Sequence, residues 1–187
     1  MRLGSRNGPA LLAVGATILG LASGVAILGG MIQPAADVPH AAVTSEALAA
    51  HLARSPQDGR AWLLLARLEF EADRFQPAAD AYAKGLAASP RAARDPALWC
   101  EYADALGMTQ GGSLEGRPRA LIEQALALDA RHPKALEMAG SAAFARGDYA
   151  SAQRYWRALL AQLPESSPAY RELAAAIARA GRLGLGS

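Results

Sequence analysis

Two segments of this chain fit one 34-residue template, position for position. In the first, Trp62, Leu65, Ala66, Ala78, Tyr82 and Pro90 stand at fixed offsets. In the second, Leu136, Ala139, Gly140, Ala152, Trp156 and Pro164 stand at the same offsets. A large residue opens one helix and a small residue lets a second helix approach it. A later small residue and an aromatic ring fill the contact, and a proline ends the unit. A unit of this kind leaves one face apolar, and stacking on neighbours buries it. The template therefore predicts an all-α solenoid and excludes a sheet-based core.

This is the tetratricopeptide (TPR) pattern, and the units follow from it. Thr44 or Ser45 caps a helix through Ala53, with Leu48 and Leu52 on one face. Pro56 ends it, one period before Pro90. The first full repeat spans about Gly59 to Ala92, with its second helix starting near Phe75. The second runs from Pro96 to His132 and carries Trp99, Tyr102, Ala103 and Leu106, then Leu121, Ile122, Ala125 and Leu128. Its internal connection, Gly107 to Pro118, is too long and glycine-rich for an ordinary TPR turn. The third runs from Pro133 to Ser166, with a tight turn at Gly147-Asp148-Tyr149. A last amphipathic helix after Ser167-Pro168, with Tyr170, Leu173, Ala174 and Ile177, closes the stack as a cap. Three repeats plus capping helices thus occupy residues 44–180, and 181–187 read as a flexible tail.

Before the repeats, no charge occurs from Asn7 to Ala36, and residues 9–32 are almost wholly apolar. That length crosses a bilayer core as a helix, whereas a signal peptide has a shorter apolar region and a small-residue cleavage site. The stretch after it, Gln33-Pro34-Ala35-Ala36, is a poor cleavage site, so an uncleaved transmembrane helix is expected. Arg2 and Arg6 in the short stretch 1–8 place the N-terminus in the cytoplasm, and the rest beyond the membrane. In a Gram-negative cell that is the periplasm, reached through a linker at 33–43. Ala16, Gly20 and Gly24 fit an ordinary small-residue anchor, or a packing face toward a membrane partner.

Of the 19 Lys+Arg, only Arg2 and Arg6 precede the apolar segment. The remaining 17 balance 17 Asp+Glu, all of which follow residue 36. A formally neutral domain argues against nucleic-acid binding, which needs a basic face. The single Cys100 allows no internal disulfide. His40, His51 and His132 lack partners at metal-ligand spacing, and no Gly-rich phosphate loop occurs. Without a Cys-x-x-Cys-His sequence, haem is not attached to this chain. No cofactor and no catalysis are expected. Cys100 reads as a small core residue, or alternatively as a thiol facing a groove and open to redox chemistry.

In a TPR solenoid, the first-helix residues that do not pack on the second helix line an inner groove. The repeat register places Arg60, Leu63, Arg67 and Phe70 there from the first repeat. Cys100 and Asp104 follow from the second, Lys134, Glu137, Ser141 and Phe144 from the third, and Arg171 from the cap. Two exposed rings amid mixed charge suit an amphipathic segment with an apolar stripe and an acidic element.

Three stretches go beyond the TPR pattern. They are Tyr102-Ala103-Asp104-Ala105-Leu106, Gln110-Gly111-Gly112-Ser113-Leu114, and the run from Leu121 to Asp129. With Ala139-Gly140-Ser141-Ala142-Ala143-Phe144 and Tyr155-Trp156, they resemble the TPR domain of bacterial c-type cytochrome biogenesis proteins of the CcmI/CycH and NrfG type. The likeness covers roughly residues 44 to 180. It implies an inner-membrane chaperone that holds the C-terminal segment of apocytochrome c in the periplasm and presents it to the haem lyase. Haem-lyase and thiol-reductase components are the implied partners. The single anchor departs from the longer CcmI form, which has two membrane helices. A general periplasmic scaffold for envelope assembly or quality control is the alternative. It would not prefer apo- to holocytochrome.

Overall fold

The computed structural model describes residues 43–186. Among them are eight α-helices, one 3-10 turn and no strand. In order these are α1 (Ser45–Arg54), α2 (Gly59–Glu71), α3 (Phe75–Ala88), the 3-10 turn Ala92–Arg94 and α4 (Pro96–Thr109). α5 (Arg117–Leu128), α6 (Pro133–Ala145), α7 (Tyr149–Leu160) and α8 (Pro168–Gly184) follow. No described helix is long and apolar enough to cross a membrane. The transmembrane helix expected at 9–32 lies outside the described residues, as do Ala16, Gly20, Gly24 and His40.

Helix starts follow from their caps. Thr44, Asp58, Asp95, His132, Asp148 and Ser167 each accept a backbone N–H from the first turn that follows. These donors have no partner within the helix, so each cap satisfies a group that would otherwise be lost. Consecutive helices pack as α2 on α3, α4 on α5 and α6 on α7, with α8 closing the stack on α7. The small template residues are where helices meet. Ala66, Ala78, Ala103 and Ala152 are all fully buried.

The middle repeat keeps this packing with different residues. A step of forty from Ala78 and Tyr82 reaches Pro118 and Ile122, and thirty-four more reach Ala152 and Trp156. Pro118 and Ile122 are among the largest fully buried side chains. The long connection before them has a physical role. Gly111 and Gly112 both adopt left-handed φ, 66° and 88°, which glycine tolerates at no steric cost. Gly112 N–H then returns to Gly107 O at 2.8 Å and closes α4. Leu114 folds over Gly107 so closely that a Cβ there would lie 3.1 Å from Leu114 Cδ2. In the other repeats an aromatic ring, Phe70 or Phe144, stands at the place of Gly107.

The first and third repeats turn more tightly. Gly147 has φ 81°, and its counterpart in the first repeat is Asp73 at φ 56°. At the N-terminal end, α1 is tied to α2 and α3 through Glu69, a charged residue that is buried. Arg74 holds both oxygens of Glu69 and also donates to Ser45 Oγ at 3.2 Å. The Arg74 hydrogen bond keeps the Glu69 carboxyl below the usual range. At the other end α8 runs on to Gly184, beyond the domain end expected at 180. Ala180 is the reason: it is fully buried against Ala143, Ala152 and Trp156, so the helix turn around it is held in place.

Candidate functional site

Helices α2, α4 and α6 open the three repeats, and α4 also touches α6 directly. Their remaining faces carry the residues assigned to the groove. Arg60, Arg67, Lys134, Glu137, Ser141 and Arg171 are exposed, while Leu63 and Asp104 are half-buried.

The charges are organised across repeats. Arg67 donates through Nε and Nη2 to both oxygens of Glu101, at 2.9 Å each. Tyr82 Oη donates to the same carboxylate at 2.9 Å. One carboxylate on α4 thus joins α2, α3 and α4. Lys134 on α6 lies 3.5 Å from Asp104 on α4 and 3.9 Å from Glu137. Burial raises the Asp104 carboxyl above its ordinary value, and Lys134 works against that rise. Both central cations therefore have acidic partners within the fold. Sequence reading missed Glu101, which falls outside the groove positions that the repeat register selects.

The two rings expected to be exposed in the groove are not open. Phe70 is half-buried and meets Phe75 edge-on, with centroids 5.4 Å apart. Phe144 is likewise half-buried. It lies 5.3 Å from Tyr149 and 5.6 Å from Trp156, and Arg179 stands over its ring at 5.5 Å. The cause is common to both. Each ring ends the first helix of its repeat, and the first residue of the next helix folds back onto it across a tight turn. Edge-to-face contact with that residue adds to the burial of apolar area.

Cys100 takes the core position of its two readings. It is 1% exposed, and burial pushes its thiol up to about 11. The near polar group, His132 Nδ1, is 3.9 Å from Sγ and accepts Ala135 N–H at 3.3 Å. That nitrogen is thus engaged as the cap of α6. The thiolate is the reactive species, so the burial that pushes this thiol up also suppresses its reactivity. Iodoacetamide should label native Cys100 at least about a hundredfold more slowly than the urea-unfolded chain. Equal rates would show the thiol to be open. Among the described residues, no three His, Cys, Asp or Glu side chains converge on a metal-sized site. The assigned positions form a surface of helix faces whose central cations are paired with acids.

Residues 44–170 match the family described as the cytochrome c-type biogenesis protein H TPR domain. The cytochrome c-type biogenesis protein CycH of Bradyrhizobium diazoefficiens is 33% identical over 118 residues, covering 63% of this chain and 31% of that protein. The protein of the same name from Pseudomonas aeruginosa is 30% identical over 149 residues, covering 78% and 35%. The chain thus spans about a third of the length of the curated relatives it matches. Among solved structures, MamA superposes with a TM-score of 0.61 at 14% identity, over 75% of this chain and 82% of that one. The first TPR of Spaghetti, bound to the HSP90 peptide SRMEEVD, superposes at 0.54 and 21% identity, over 70% and 98%. These two likenesses concern the fold.

Proposed function

Because the chain belongs to the family of the cytochrome c-type biogenesis protein H TPR domain, we propose that it is a membrane-anchored chaperone of cytochrome c maturation. It binds the C-terminal segment of apocytochrome c in the periplasm and presents it to the haem lyase. The anchor is the apolar segment 9–32. The observation that supports this reading is the row of helix faces on α2, α4 and α6, whose central cations are already neutralised by Glu101, Asp104 and Glu137. Such a row favours an amphipathic segment over a densely acidic one. Leu63 supplies apolar surface, Ser141 leaves room, and Arg60 and Arg171 provide cations toward the two ends. Phe70 and Phe144 shape the surface from below, through their packing.

The reading is tested with the full-length chain in detergent micelles, titrated with one cytochrome in its apo and haem-loaded forms. Apocytochrome should bind at least about tenfold more tightly, a difference of about 1.4 kcal/mol. Ser141→Arg, at an exposed position, should remove most of that affinity and leave helicity unchanged. Equal binding of the two forms would instead support a general envelope scaffold.

A further inference from the structure

The junction between the first two repeats is longer than the junction between the second and third. Seven residues separate α3 from α4, and four separate α5 from α6. The difference of three is taken up by the 3-10 turn Ala92–Arg94. The turn and its flanks form one wall of a cleft of about 760 Å³, within the range of ligand-binding sites. Arg91 and Arg94 line it from that wall and Arg60 from α2, all three exposed.

None of these guanidinium groups pairs with a carboxylate among the described residues, whereas Arg67, Arg74 and Arg146 each do. The acid in the wall, Asp95, is committed to capping α4, where it accepts Ala97 N–H at 2.9 Å. Leu63 and Leu98 give the cleft apolar surface beside the cations. Three arginines against one acid leave an excess of two positive charges in a recess. Cations beside apolar side chains favour a carboxylate that carries an apolar neighbour, because guanidinium binds carboxylate bidentately.

We propose that this cleft receives a carboxylate-bearing segment of the bound polypeptide, with an apolar residue beside the acid. The inference rests on the reading of the chain as a polypeptide-binding one. It adds a cationic, carboxylate-binding subsite built by the inserted turn. Continuity supports a polypeptide occupant, since Arg60 and Leu63 line the cleft and also belong to the α2 face of the helix row. A layer of lipid headgroups would better suit an open basic face than a recess containing Asp95.

The test uses the full-length chain in detergent micelles and two fluorescein-labelled twelve-residue peptides, one of repeated Leu-Glu-Glu and one of repeated Leu-Gln-Gln. Each is made with a free and with an amidated C-terminus. The acidic peptide should bind at least about tenfold more tightly and weaken as NaCl rises from about 50 to about 300 mM. Arg91→Gln with Arg94→Gln should abolish that preference, with Arg60→Gln as an independent second variant. Unchanged circular dichroism shows that the variants fold. Tighter binding of the free-terminus form assigns the carboxylate to a chain end, and equal binding assigns it to side chains. Either outcome supports the proposal. Equal affinity of the double variant and the parent chain for the acidic peptide overturns it. So does loss of phosphatidylglycerol-vesicle binding in the double variant with no effect on peptides. Apocytochrome capture by the parent chain is scored separately. Its failure alongside an intact arginine-dependent preference would reject the cytochrome reading and leave the cleft.

Discussion

Gly140→Leu should destabilise the C-terminal half of the solenoid by about 3 kcal/mol or more, the upper range for overpacking a core. A Cβ at Gly140 would lie 2.8 Å from Cε2 of Trp156, and nearer still to Nε1 and Cδ1. The indole has no easy escape. It is buried among Ala143, Ala152 and Ala180, with Phe144 on one side. Alanine alone would force the ring to move, and leucine adds three further carbons. The measurement is urea unfolding of the full-length chain in detergent, read as a lower midpoint with an unchanged slope. Gly181→Ala is the matched control. A Cβ there meets only Gln153, at an ordinary 3.5 Å, so the variant should be neutral or gain up to about 1 kcal/mol of helix propensity. Trp156→Leu should partly rescue Gly140→Leu in a double-mutant cycle. A Gly140→Leu chain with the parent midpoint would mean that the indole is not locked in place.

Glu101→Ala should cost about 2–3 kcal/mol, because it removes the acceptor of three charge-assisted or buried hydrogen bonds at once. Tyr82 is 2% exposed, and its hydroxyl would lose its partner without gaining water. Burial already holds that phenol well above its usual titration range. Arg67 loses less, since half of its side chain is solvated. Glu101→Gln keeps an acceptor for Tyr82 and should cost less than the alanine. Tyr82→Phe removes the orphaned group itself. In its background, Glu101→Ala should therefore do less damage than alone. Urea midpoints of the four proteins test this coupling, and strict additivity would show that the bond to Tyr82 contributes nothing.

Glu101 also marks where sequence reading stopped. Arg67 reads as a groove cation, because the repeat register places it on the inner face of its helix. Its partner arrives from the next repeat, at a position with no place in the TPR template. Phe70 and Phe144 fail for a related reason. Their identical register is legible, yet their exposure depends on how the following helix returns over them. Pro118 and Ile122, by contrast, can be placed once the forty-residue step is seen, since the second-helix contact recurs with that shift.

The sequence by itself determined the elements and their order. Helix periodicity, capping residues, template alanines and glycines, and the Gly111-Gly112 connection all act within one or two turns of chain, so local chemistry suffices. Family membership followed from the same residues. Only the stacked structure decided which side chains the repeats share. It paired Arg67 with Glu101 and Lys134 with Asp104, turned Phe70 and Phe144 inward, buried Cys100, and gathered Arg60, Arg91 and Arg94 into one cleft. The physical reason is that each of these contacts depends on the rotation between neighbouring helices. That rotation is set by the summed packing of the whole stack, and no single period of the sequence specifies it.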